Sequence, residues 1–319
     1  MARLQPSIEE VYAAAVRIRG HALRTPLVRL NLNDAPAEIW LKLENLQPIG
    51  SFKIRGAGNA LASVPRSKLA AGVYTASAGN MAQGVGWMAR AFGVPWSVVI
   101  PDHAPKTKRA AIERLGGRIV AVPFDDWWRV IIDHTYPGMA GLFVHPVCDA
   151  AVIAGNATIG LELVEDLDSF DAAIVPWGGG GLSSGIATTL RALRPGIPVF
   201  AAEVETSAAL AAAFAAGKPV DVDYEATFID GIGSRRVLDP MWPLARDLLA
   251  GSLVSPLRGV ADAVRILAER NHVIAEGAGA AAVAAALSGR AGGGRIVCIV
   301  SGGNIDAHKL AVLLEGSIP

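Results

Sequence analysis

The sequence predicts an α/β fold of parallel sheets covered by helices, on three observations. Short β-type runs alternate with helical runs from end to end of the 319-residue chain. Several strand runs are apolar at every position, as in Ile296-Val297-Cys298-Ile299-Val300, which fits strands buried on both faces. Glycine- and serine-rich loops follow the carboxyl ends of three of them, where open α/β sheets place ligands. Such alternation calls for right-handed crossovers through helices on both faces of a sheet.

The elements follow in order. Ile8, Val11, Tyr12, Ala15 and Ile18 form a helical stripe, with Ser7 and Glu10 as its capping box. Strands are predicted over 39–44, 73–77, 96–101, 118–122, 172–176, 199–204 and 295–300. Helices are predicted over 80–92, 106–115, 182–193, 260–269 and 278–287. The last is the most apolar, but shorter than the roughly 20 residues a bilayer needs, and reads as a core helix.

Hydrophobic residues make up 52% of the chain and charged residues 18%, enough for one large or two ordinary domains with full cores. Lys plus Arg and Asp plus Glu number 29 each, and the pI is near 7.0. That balance leaves no electrostatic footprint for nucleic acid or an anionic membrane. Cys148 and Cys298 lie in apolar company without metal-ligand spacing and read as buried free thiols. No continuous apolar run marks a secretory signal between Met1 and Gly20, so a cytoplasmic protein is expected. There is no internal repeat and no disordered tail.

Four segments carry candidate chemistry. In Gly50-Ser51-Phe52-Lys53-Ile54-Arg55-Gly56, the lysine could condense with an aldehyde and then act as a base, for which a dry pocket lowers its pKa. Ser51-Phe52 and Gly56 suit close approach to a planar ring. On its own Lys53 reads as an ordinary loop lysine. Gly178-Gly179-Gly180-Gly181-Leu182 follows a strand and opens a helix, so its backbone N–H groups could converge on a phosphate. The dinucleotide pattern G-x-G-x-x-G competes, but the third glycine and a following ribose-binding acid are missing; a flexible turn is the remaining alternative. Ser77-Ala78-Gly79-Asn80 ends a strand and opens a helix, where free N–H groups and a hydroxyl can hold a carboxylate. Ser77 or Asn80 could equally be a helix N-cap. Ser301-Gly302-Gly303-Asn304 closes the set, and in isolation is a Gly-rich turn after a buried strand.

Together and in this order, the segments resemble the lysine, substrate, phosphate and ring-nitrogen contacts of the fold-type II pyridoxal-phosphate enzymes, above all the threonine/serine dehydratases. The string Glu44-Asn45-Leu46-Gln47-Pro48-Ile49-Gly50-Ser51-Phe52-Lys53-Ile54-Arg55-Gly56-Ala57 is similar to their lysine segment nearly residue for residue, and the likeness runs over nearly the whole chain. It implies two open, twisted, mostly parallel sheets covered by helices, with pyridoxal 5'-phosphate in the cleft between domains. It further implies a large domain of 1–44 plus 146–319, a small domain of 45–145 carrying the substrate-carboxylate loop, and a homodimer. Lys53 would be the catalytic residue. Cofactor contacts would come from Lys53, Phe52, Asn80, Gly178, Gly179, Gly180, Gly181, Leu182, Glu276 and Ser301. An amino-acid substrate would meet Ser77, Ala78, Gly79, Asn80 and Gln83. A serine at the pyridine nitrogen leaves that nitrogen mostly unprotonated, a weaker electron sink that favours β-elimination over transamination. Glu276, followed by Gly277 where the family usually has proline, reads equally as a first-turn helix carboxylate.

The resemblance implies dehydration and deamination of a 2-amino-3-hydroxy acid such as L-threonine or L-serine. Other β-hydroxy amino acids, racemisation, and a catalytically silent cofactor-binding protein are the alternatives. Ala78 stands where serine racemases of this fold carry a serine that serves as a second acid/base, and alanine has no proton to give. Glu203 resembles a family cation ligand, yet Ser207-Ala208-Ala209 supplies no partner carboxylate, so no metal is expected. Met81 replaces a usual histidine, His145-Pro146-Val147-Cys148-Asp149 a more acidic stretch, and Asn156-Ala157 a Gln-Gly pair. Trp127-Trp128, near His134 and Tyr136, reads as core or interface packing, with a lid over a larger substrate as the alternative. His21, His103, His272 and His308 show no ligand spacing. With the sequence ending at Pro319, the regulatory domain of feedback-controlled threonine deaminases is not expected.

Overall fold

A computed structural model describes residues 3–104 and 106–319, without the side chains of Lys106 and Thr107; Met1 and Ala2, where the signal-peptide reading begins, lie outside the described residues. Ten strands occur among them: β1 Leu27–Arg29, β2 Glu38–Leu43, β3 Val73–Ala76, β4 Trp96–Pro101, β5 Arg118–Val122, β6 Leu142–Phe143, β7 Ala172–Pro176, β8 Val199–Val204, β9 Gly251–Ser255 and β10 Arg295–Val300. They build two sheets, as the resemblance implied. The chain divides into two compact units, one of residues up to Leu23 with Lys53–Thr158, the other of Arg24–Phe52 with Ile159–Pro319.

The smaller unit holds a four-stranded sheet in the order β5-β4-β3-β6, every pair parallel. All of β3 is buried, as a central strand with helices on both faces should be. The N-terminal helix Ile8–Ile18 starts at Ser7 with the expected capping box: Ser7 Oγ accepts from Glu10 N, and Glu10 accepts from Ser7 N. Arg17 on that helix donates to Asn59 Oδ1 at 3.2 Å, fastening it to the helix Lys53–Ala62.

The larger unit holds a six-stranded sheet in the order β1-β2-β10-β7-β8-β9. Only β1 is antiparallel to its neighbour. The helix Gly277–Leu287 is buried from Gly277 to Ala286, and its alanines share one core with Ile296, Cys298 and Val300 of β10. Small side chains let this helix lie close against the sheet, the burial predicted for it. Both cysteines are free and buried, and burial pushes the Cys148 thiol up to about 12.

The unit boundaries fall elsewhere than 44/45 and 145/146, for identifiable reasons. Gly50 O accepts from Gly303 N and Phe52 N donates to Ser301 O, so residues up to 52 belong with the larger sheet. Asn59 donates to Ala151 O, and Arg55 to Thr158 Oγ1, so the first turns of the helix Ala150–Asp166 belong with the smaller one. The loop reading of Lys53 needs correction, because Lys53 opens a helix. Strands β1, β6 and β9 were not predicted; two of them are only two or three residues long.

Candidate active site

In the smaller unit, Lys53 is half-buried at the first position of its helix, and its Nζ donates to the Pro146 carbonyl O at 2.9 Å. The helix Asn80–Phe92 lies directly on the lysine backbone: a Cβ on Gly84 would stand 3.0 Å from Lys53 O. That approach brings the first turn of this helix, with half-buried Gln83, to the lysine end of the unit. Within the loop, Ser77 Oγ accepts from Gly79 N at 3.2 Å. Gly79, rather than Ser77 or Asn80, is the N-cap, and no side chain caps the helix. The Gly79 N–H is thus engaged by Ser77, while the Ser77 hydroxyl keeps its own proton to donate. A Cβ on Gly79 would meet nothing within 4 Å.

Met81 is buried, as is His145, whose ring lies against His134 at 4.4 Å between centroids, tilted by 35°. Asp149 Oδ1 accepts from Ala151 N and Val152 N, which starts the helix that follows. Its carboxyl is shifted upward, mainly by burial. The Pro146 carbonyl is the contact that side-chain reading could not find, because every residue has a carbonyl.

In the larger unit, Ser51 bridges Gly302 in antiparallel fashion, and Phe52 N donates to Ser301 O. Glu276, the N-cap residue of the helix Gly277–Leu287, donates its N–H to Gly302 O. Its carboxylate lies against the same turn: a Cβ on Gly302 would stand 2.4 Å from Glu276 Oε1. Ser51, Phe52, Glu276 and Ser301 therefore converge, and Lys53 is the next residue in the chain. The glycine run opens the helix Gly181–Leu193, where Gly180 has φ 95° and sits over the Trp177 ring.

Those residues fit a phosphorylated, planar cofactor. The helix Gly181–Leu193 has no side-chain cap, and the positive end of its dipole lies at the glycine run. Ser184 Oγ in its first turn is buried without a hydrogen-bond partner among the described residues, as is Ser51 Oγ beside the Ser301 turn. Buried hydroxyls are rarely left so, and a phosphate or ring substituent would supply what they lack.

Glu203, which resembles a family cation ligand, is engaged by its own chain. Its carboxylate accepts from Leu210 N, Ala211 N and Ser252 Oγ at 2.8, 2.8 and 2.5 Å. No cluster of potential metal ligands occurs among the described residues. Trp127 packs half-buried against the β3–β5 core on the helix Phe124–Asp133, whereas Trp128 is more exposed. No helix is long and apolar enough to cross a membrane among the described residues.

Residues 18–302 match the family described as pyridoxal-phosphate dependent enzyme. An L-threonine ammonia-lyase of Geobacter sulfurreducens is 39% identical, over 94% of this chain and 76% of its own. The catabolic L-threonine dehydratase TdcB of Escherichia coli K12 is 36% identical, over 97% of this chain and 96% of its own. Maize serine racemase superposes with a TM-score of 0.89 at 32% identity, over 96% of each chain. The match over residues 18–302, together with these relatives, shows that the chain belongs to the pyridoxal-phosphate dependent enzymes.

Proposed function

We propose that this protein is an ammonia-lyase that converts a 2-amino-3-hydroxy acid, such as L-threonine or L-serine, to a 2-oxo acid and ammonia. The observation that carries the reading is the half-buried Lys53 amine, hydrogen-bonded to Pro146 O, on a helix that packs against the helix opened by the Ser77–Asn80 turn. The similarity to threonine ammonia-lyase and dehydratase relatives supports the same substrate class.

Lys53 would hold the cofactor, Gly178 to Leu182 its phosphate, and Phe52, Asn80, Glu276 and Ser301 its ring. When bound, the cofactor supplies an electron sink for negative charge at the substrate Cα. The substrate carboxylate would be bound by the Ser77 hydroxyl and the backbone of Ala78 and Gly79, with Asn80 and Gln83 orienting it. Lys53 Nζ then takes the Cα proton, a role suited to an amine kept from bulk water. The β-hydroxyl leaves as water, and one water is taken up when the nitrogen is released, so the products are one 2-oxo acid and one ammonia. Ala78 offers no second acid/base on the opposite face, which favours elimination over racemisation. We infer a homodimer in the cytoplasm from the family resemblance, with sedimentation of the purified protein as its check.

The test is a set of β-hydroxy amino acids, both serine enantiomers included, assayed for 2-oxo acid and for inversion. Release of 2-oxo acid from L-threonine or L-serine is expected. Lys53→Ala should lose covalent cofactor and at least ~10³-fold of the rate. Inversion without 2-oxo acid, or unchanged turnover in Lys53→Ala, would overturn the assignment.

A further inference from the structure

His145 is 2% exposed, and the groups it meets fix the role of each ring nitrogen. Nδ1 lies 2.9 Å from the Val147 amide N and 2.7 Å from that of Cys148. Both are N–H groups that can only donate, so Nδ1 accepts and carries no proton. Nε2 lies 3.1 Å from the Ile131 carbonyl O, which can only accept, so the proton sits on Nε2. A second ring proton would oppose two backbone N–H groups. Burial first, then the nearby His134 and Lys53, push the imidazole down to about 3, against the opposing pull of the Ile131 hydrogen bond.

The result is a bend in the chain. By gathering the N–H groups two and three residues ahead, the ring wraps the backbone around Pro146. That residue has no N–H to compete and a restricted φ. Its carbonyl O is the one that accepts from Lys53 Nζ at 2.9 Å. Asp149 Oδ1 secures the far end of the bend, through Ala151 N at 2.8 Å and Val152 N at 3.2 Å.

We propose that His145 is a positioning residue for Lys53: with its proton on Nε2 and Nδ1 accepting from Val147 and Cys148, it sets the Pro146 carbonyl that orients the lysine amine. The inference rests on the reading of Lys53 given above and deepens it. An amine that donates one N–H to a fixed carbonyl has its other directions fixed as well, which is the alignment a reacting nitrogen needs. His145 touches no reacting atom and acts only through the backbone of Pro146.

The test removes the cofactor, restores pyridoxal 5'-phosphate, traps attachment with borohydride and locates it by mass spectrometry. His145→Phe keeps an aromatic ring against His134 but offers no acceptor. Its attachment rate should fall about tenfold, the worth of roughly one net hydrogen bond. His145→Asn can accept from the same two N–H groups in an Asx turn, and should recover to within about threefold of wild type. His145→Phe attaching at the wild-type rate, or folded His145→Asn as slow as His145→Phe, would overturn the proposal. Should His145→Phe not fold, His145→Gln, whose acceptor stands one carbon further out, replaces it with the same two outcomes. Wild-type protein that carries no label on Lys53 would sink the underlying reading instead, whatever the His145 variants do.

Discussion

Two loops after buried parallel strands, Ser77-Ala78-Gly79-Asn80 after β3 and Gly178 to Gly181 after β7, start from one local plan and diverge. Each opens a 13-residue helix with no side-chain cap. At the first, the Ser77 hydroxyl braces the Gly79 N–H, and the space a Cβ would take is open. At the second, Gly180 is locked at φ 95° against a fully buried tryptophan, and a buried hydroxyl in the first turn lacks a partner. The first is a turn held by side chains, with room in front of it. The second is a rigid backbone cradle whose shape the core dictates. Glycine is a packing requirement in one and a matter of access in the other.

The largest effect expected from this contrast is at Gly180. A Cβ there would stand 2.3 Å from Trp177 Cη2 on a left-handed backbone, so Gly180→Ala should cost about 2–5 kcal/mol in denaturant unfolding. Gly79→Ala, with φ −107° and nothing within 4 Å, should change stability by less than ~1 kcal/mol yet raise KM for the substrate about tenfold or more. Equal destabilisation by the two changes would erase the distinction.

A pH effect of intermediate size sharpens it on the lysine side. The folded pKa of His145, about 3, lies below the ordinary 6.5. The unfolded chain therefore takes up a proton as pH falls through 6.5 while the folded chain does not. This contribution to stability is whole above pH 6.5 and is lost as pH falls towards 3. Buried Asp149, shifted upward, works in the opposite sense, so the contribution is best isolated as a difference from His145→Asn. Between pH 7 and pH 5, wild type should lose about 2 kcal/mol more than that variant. Parallel stability curves would refute the assignment of the ring proton.

The smallest effects are at the two serines. Ser77→Ala removes the brace on Gly79 and should cost about 1 kcal/mol. Ser184→Ala deletes an unpartnered buried hydroxyl, so cofactor-free protein should be unchanged or slightly more stable, while cofactor affinity falls severalfold. Calorimetry with and without cofactor separates the two; an equal loss in both forms at Ser184 would argue against a ligand there.

Much of this arrangement was legible beforehand. Strands with long apolar runs, such as β7 and β10, were found at their observed limits, because burial on both faces leaves a strong signature. The Lys53 helix was not, since Gly56 and Gly58 lower helix propensity in a ten-residue segment. The fold explains one of them: a Cβ on Gly56 would stand 2.8 Å from Val152 Cγ1 and Asn156 Oδ1, so glycine is required by the neighbouring helix. Short strands such as β6 exist through their partners and have little pattern of their own. The contact between Lys53 and Pro146 was illegible for a deeper reason, since a main-chain acceptor has no letter in the sequence. His145 was visible only as a departure from a motif, and its partners appear only once the chain has turned.

Glu203 carries a last consequence. Its carboxylate has three donors from its own chain, two from the helix that follows β8 and one from Ser252 on β9. The start of that helix is therefore tied to two neighbouring strands through a single acid, and a change at Ser252 would release one of the three bonds.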